Sequence, residues 1–109
     1  MSLYPLFLKL AGRQVLVVGG GPVALAKVRA LLEAGAVITV VAPEIAPELE
    51  ALAEKGNISI ARRSFEQSDV GGSWLVVAAA PPAVNRSVAA AAESLRLFVL
   101  AVDDTSAAS

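Results

Sequence analysis

Two apolar periodicities alternate along the chain. From Gln14 to Val18 the run Gln-Val-Leu-Val-Val is short, β-branched and almost wholly apolar, as suits a strand covered on both faces in a parallel sheet. Three glycines end it. After Pro22 the apolar residues Val23, Ala24, Val28, Leu31 and Leu32 recur at helical spacing, with Lys27 and Glu33 outside the stripe and Gly35 as a stop signal. Val37 to Ala42 is a second buried-type strand, so strand, tight turn, helix and strand make one βαβ unit.

Pro43, Pro47 and Glu48 then punctuate the chain and start a short helix through Lys55, with Leu49 and Leu52 inward and Gly56-Asn57 closing it. The alternation of Ile58 and Ile60 marks a weaker third strand, expected at the sheet edge. Arg62 to Ser73 reads as a polar connection with one helical turn near Phe65. Trp74 to Ala79 is a fourth strand, Ala83 to Leu95 an Ala-rich helix, and Leu97 to Val102 a fifth strand. Strands alternating with helices predict an α/β fold: a Rossmann-type open parallel sheet of about five strands, with helices on both faces and right-handed crossovers.

A length of 109 residues suits one domain, residues 1–109, and leaves no room for a second. The sequence is 56% hydrophobic, against roughly 45–50% for an ordinary soluble chain. That surplus means either an unusually full core or a face normally hidden against something else. The net charge is −1 and the basic residues are scattered, so nothing advertises nucleic-acid binding. The longest uncharged apolar stretch, Trp74 to Val84, contains two prolines and is shorter than the ~20 residues of a membrane-spanning helix. The start of the chain lacks a basic segment followed by an apolar one. A soluble, cytoplasmic chain that engages neither membrane nor nucleic acid is the expectation. With no Cys and no His, thiolate nucleophiles, imidazole bases and nearly all structural zinc patterns are excluded.

The motif that carries chemistry is Gly19-Gly20-Gly21-Pro22-Val23-Ala24, a G-x-G-x-x-A directly after a strand and directly before a helix. In such a turn the first glycine allows a tight bend, the second lets the chain approach a pyrophosphate, and a small third residue lets helix and strand pack closely. The helix N-terminus offers free N–H groups and the positive end of its dipole to the phosphates. One expected part is missing. The Asp or Glu that holds the adenosine ribose belongs at the tip of the second strand, where this chain has Ala42 and Pro43, with Glu44 just beyond. Glu44 reaching a ribose hydroxyl, main-chain groups around Ala42 doing so, and Glu44 as a plain surface carboxylate all remain open. Arg62 and Arg63 are candidates for a 2′-phosphate, although a solvated face is the better reading.

Several segments together carry a family likeness. Tyr4-Pro5-Leu6-Phe7-Leu8, Gly12-Arg13, the stretch Val15 to Ala24, Lys27, Leu32-Glu33-Ala34-Gly35-Ala36 and Val40-Val41-Ala42-Pro43 resemble the start of precorrin-2 dehydrogenases, the N-terminal portion of siroheme synthase. The likeness continues through Trp74 to Ala79, Val84-Asn85 and Ala101-Val102-Asp103-Asp104. The Ala-Pro pair in place of the acid is itself typical of that family. The resemblance implies oxidation of precorrin-2, a tetrapyrrole, to sirohydrochlorin with NAD, and in many members Fe²⁺ insertion by the same protein. It implies a catalytic Asp at the end of the last strand, matched by Asp103; a helix N-cap or turn Asp is the other reading of that position, and Asp104 is a candidate cap. It also implies a cofactor site at Gly19 to Ala24, Ala42, Pro43, Glu44, Ala79 and Ala80, and no resident metal. A helical region that dimerises and completes the tetrapyrrole pocket follows in the family and is expected to be absent here, so that a homodimer belongs to the full-length form.

This chain departs from the family pattern at three places. Ala80 stands where a Thr is usual, Pro81-Pro82 replaces a common acidic pair, and Leu100 stands where Asn is common. These changes remove hydrogen-bonding groups near the expected cofactor site. Two other classes fit the bare pattern. One is a nucleotide-sensing regulatory module of the kind that gates potassium transport, although such modules usually keep an acid at the second strand tip. The other is a degenerate paralogue serving as a protein-interaction domain.

Overall fold

The computed structural model describes residues 6–101. The element order is β1 (Gln14–Val18), α1 (Pro22–Glu33), β2 (Val37–Ala42), α2 (Pro47–Glu54), β3 (Ser59–Arg62), a 3₁₀ turn (Gln67–Val70), β4 (Leu75–Ala78), α3 (Pro82–Ser94) and β5 (Phe98–Ala101). Every pairing in the sheet is parallel and the strand order is β3-β2-β1-β4-β5. The chain therefore starts at the centre, winds outward to β3, and crosses back to pair β4 with the other side of β1.

The run of β-branched residues in β1 is explained by its two neighbours and two covered faces. Val15 and Val17 join Ala24, Val28 and Leu31 of α1 and Leu49 of α2 in one apolar layer. Leu16 and Val18 join Val88, Ala91 and Ala92 of α3 and Val70 of the 3₁₀ turn in the other. Side chains alternate across a strand, so a strand buried on both sides has no polar positions to show. Burial of each such Val stabilises the fold by roughly 1.5–3 kcal/mol, which makes this central strand the anchor of the crevice described below.

Among the described residues, all three α-helices begin with a proline, at Pro22, Pro47 and Pro82. Proline is preset for the first helical turn, and its missing N–H is one that would lack an intrahelical partner anyway. Helix α1 stops at Gly35 (φ 81°), with Gly35 N–H donating to Leu32 and Ala36 N–H to Leu31, the paired bonds of a Schellman motif. Helix α3 ends the same way on Arg96, the single described non-glycine residue with positive φ (57°).

Several expectations shift. The helical turn expected near Phe65 is a 3₁₀ turn at Gln67–Val70, and Arg62 closes β3 instead of opening the loop. Strand β4 and helix α3 differ from their expected bounds by one residue at each end, and β5 starts one residue late, at Phe98, while its expected end at Val102 lies outside the described residues. Trp74 N–H still bonds Gln14 and Ala79 N–H still bonds Val18, so the ladder spans the predicted fourth strand. Val23 does not belong to the core stripe of α1: it is exposed, because it sits in the first turn beyond the reach of the sheet. At the far edge, Phe98 and Leu100 of β5 remain exposed. They pair with Leu75 and Val77, and so extend an apolar sheet face past the helices that cover it.

Candidate functional site

The connections from β1 and β4 leave in opposite directions, α1 to one face and α3 to the other. Between them the carboxyl ends of the strands open a crevice of about 440 Å³, within the usual size for a small-ligand site. In open α/β sheets this switch point is where ligands bind. The crevice is lined by Val18 to Val23, Val41 to Glu44, Ser64, Phe65, Ala79 to Pro81, and Val84.

Each glycine of the turn has its own reason to lack a side chain. Gly19 has φ 136°, and a Cβ there would fall 2.7 Å from the carbonyl carbon of Ala79 and overlap its oxygen. A Cβ on Gly20 would overlap the Glu44 carbonyl oxygen and stand 3.1 Å from its carbon. The Gly20 carbonyl also accepts the Ala46 N–H at 2.7 Å. The loop after β2 is thereby strapped across the turn. Gly21 is the open one: its φ is −101° and a Cβ would meet nothing within 4 Å, so the space above it is free for a ligand.

That open space faces donors. Helix α1 has no side-chain cap, and its first bond to the turn is from Leu25 N–H to the Gly21 carbonyl. The N–H groups of Gly21, Val23 and Ala24 have no backbone acceptor among the described residues. Unpaired N–H groups at the positive end of a helix suit a pyrophosphate. The residues present thus fit the phosphates of a dinucleotide. Ala24 lies fully buried against the sheet and does not line the crevice; its small size is what lets the turn sit this close to β1.

The other walls are apolar. Ala80 N–H donates to Asn85 Oδ1 at 3.0 Å, and Pro81 and Pro82 carry no N–H at all. Glu44 is the one charged side chain among the lining residues. On the far side Arg63 grips Asp69 with bonds of 2.8 and 2.5 Å, and Glu66 N–H donates to Asp69 Oδ2 at 2.8 Å. The Arg63 hydrogen bonds hold the Asp69 carboxyl below its ordinary pKa, with the Glu66 N–H adding to them against the cost of burial. Arg62 is likewise paired in bidentate fashion with Glu50. Both arginines proposed for a 2′-phosphate are therefore engaged by carboxylates.

Of the residues predicted for the cofactor, Gly19, Gly20, Gly21, Pro22, Val23, Ala42, Pro43, Glu44, Ala79 and Ala80 converge on this crevice. Asp103 and Asp104 lie outside the described residues, although β5 ends at the crevice end of the sheet, with Ala101 opposite Ala78. Ser64, Phe65, Pro81 and Val84 were not predicted to line it. Phe65 carried a signal, as a lone aromatic inside a polar connection between strands.

A family model described as "Putative NAD(P)-binding" matches residues 6–109. The chain belongs to this NAD(P)-binding family. Its cofactor is a nicotinamide dinucleotide, in agreement with the donor set at Gly21. The siroheme synthase of Chromobacterium violaceum is 49% identical over 108 residues, which is 98% of this chain and 23% of that protein. Siroheme synthase 3 of Aeromonas hydrophila is 47% identical, over 95% of this chain and 22% of its own length. The chain thus spans less than a quarter of these curated relatives. Among solved structures, SirC, a precorrin-2 dehydrogenase, matches with a TM-score of 0.74 and 38% identity over 80% of this chain and 44% of its own. A saccharopine dehydrogenase from Saccharomyces cerevisiae matches at a TM-score of 0.63 and 20% identity, a likeness of fold alone. No helix among the described residues is long and apolar enough to cross a membrane.

Proposed function

We propose that residues 1–109 form the dinucleotide-binding domain of an enzyme that oxidises precorrin-2 to sirohydrochlorin with NAD⁺ on the route to siroheme. The observation that carries the reading is the open Gly21 position facing uncapped N–H groups at the head of α1, in a chain 49% identical to a siroheme synthase. Calorimetry tests it directly. NAD⁺ should bind the 109-residue chain, and Gly21→Val should abolish that binding by filling the space the pyrophosphate needs. Unchanged affinity in the variant would remove the turn from the site.

NAD rather than NADP is the cofactor we assign. A 2′-phosphate at the tip of β2 would meet the Glu44 carboxylate, and the nearby cations Arg62 and Arg63 are held by Glu50 and Asp69. When bound, the nicotinamide accepts a hydride. The chain's contribution is to seat the phosphates on the Gly21 and Val23 N–H groups, to press apolar walls against the rings, and to offer a carboxylate. We assign to Asp103 the proton that leaves the tetrapyrrole as the hydride departs. A positioned carboxylate serves as such a base where imidazole and thiolate are absent. The Thr hydroxyl missing at Ala80 leaves the backbone at that position paired, because Ala80 N–H donates to Asn85 Oδ1. In the whole protein we place this domain in a cytoplasmic homodimer that also takes Fe²⁺ as a substrate.

A further inference from the structure

The polar connection after β3 brings one aromatic side chain, Phe65, to the crevice. Its lower side packs on the layer built from Leu16, Val41 and Val88, and it is only half-buried, with the remainder lining the open space. Its loop is fastened on both sides of the ring. Arg63 holds Asp69 before and after it, the Glu66 and Asp69 side chains form a reciprocal capping box, and Val70 is buried in the same layer. The same crevice is lined by Ala80, Pro81 and Val84, where Ala80 N–H is already spent on Asn85 and Pro81 has no N–H.

A slot lined by Phe65, Ala80, Pro81 and Val84, with Glu44 the one charged side chain of the crevice, suits a planar heteroaromatic ring better than a phosphate. It lies beyond the tips of β2 and β3, on the adenosine side of the glycine turn, where the missing ribose acid would have stood. We infer that Phe65 is the adenine platform of the site, and that adenine held there takes over the adenosine anchoring that Ala42 and Pro43 cannot supply. This rests on the dinucleotide-binding reading and assigns it a residue that motif logic does not reach. Stacking of a base on an aromatic side chain contributes about 1–3 kcal/mol by substitution, which as an affinity ratio is roughly 5- to 150-fold.

The test is calorimetric titration of the 109-residue chain with NAD⁺, AMP and nicotinamide mononucleotide, each against wild type, Phe65→Leu and Phe65→Tyr. Phe65→Leu retains the apolar packing and removes the ring. It should weaken NAD⁺ and AMP about tenfold or more, by similar factors, and leave nicotinamide mononucleotide unchanged, while Phe65→Tyr restores near wild-type binding. AMP affinity equal to wild type in Phe65→Leu would overturn the assignment of Phe65 and leave dinucleotide binding standing. Failure of the wild-type chain to bind either NAD⁺ or AMP would overturn both. Should Phe65→Leu not fold, nuclear Overhauser contacts between the adenine ring protons of bound AMP and the Phe65 ring in wild type decide the matter: their presence supports the platform and their absence refutes it.

Discussion

Gly20 and Gly21 are adjacent and chemically identical, yet the geometry gives them separable roles. Gly20→Ala places a methyl group into the Glu44 carbonyl and beside Ala42 Cβ. Neither neighbour can yield easily, since one is backbone and the other is buried on β2. The loop from Glu44 to Ala46 must lift, and the 2.7 Å bond from Ala46 N–H to the Gly20 carbonyl goes with it. Overpacking of this kind costs about 1–3 kcal/mol and the lost bond about 1 kcal/mol, so a loss of about 2–4 kcal/mol is expected. For a domain of this size each kcal/mol moves the melting point by about 4 °C, so Tm should fall by roughly 8–16 °C. Gly21→Ala meets open space at an ordinary φ. Reduced chain entropy favours it and a poorer N-cap opposes it, so its stability should stay within about 1 kcal/mol of wild type. Differential scanning calorimetry of both variants without ligand checks the pair. A Gly20→Ala protein melting within about 2 °C of wild type would show that the strap between loop and turn does not exist as described.

Further outcomes follow from the same site. In a full-length enzyme Asp103→Asn should lower the dehydrogenation rate by roughly 10²-fold or more with NAD⁺ affinity nearly unchanged, and Asp104→Asn should cost far less; steady-state kinetics with both variants fully active would make the carboxylate structural. NADP⁺ should bind the domain more weakly than NAD⁺, and Glu44→Gln should narrow the gap by relieving repulsion of the 2′-phosphate; equal affinities in wild type would dismiss Glu44 as a discriminator. The Asp69 carboxyl is held below its ordinary pKa by Arg63, so its stabilising contribution is present above the unfolded pKa of about 4 and is lost as pH falls through the lower folded value. Urea melts should therefore show the stability advantage of wild type over Asp69→Asn shrinking on acidification from about pH 6 to about pH 3, and a constant difference would mean the pair is not linked to folding.

Much of this protein was legible in the chain alone, because its signals are local and backbone-determined. Alternating apolar runs with Pro22, Pro47 and Gly35 as punctuation specify strands, helix starts and a helix stop through φ preferences and missing donors, and these need no distant partner. The crevice residues from Gly19 to Val23 follow from the same logic, since a G-x-G turn between strand and helix has one principal use. The strand-tip rule located Ala42, Pro43 and Glu44, which line the crevice, while Asp103, an expectation from the family likeness, lies outside the described residues. Other features existed only in three dimensions. The stop of α3 on Arg96 carries no glycine to announce it, because packing of Leu97 against the sheet imposes the left-handed turn that Arg itself disfavours. That Gly20 guards a loop while Gly21 guards a ligand depends on where Glu44 passes overhead, more than twenty residues on in sequence. The arginines at the end of β3 read as free cations until folding set each beside its carboxylate. Phe65 became part of the site because the chain leaves β3 at the carboxyl end of the sheet before it returns over the α3-side face to β4, a constraint of topology that no local pattern of residues encodes.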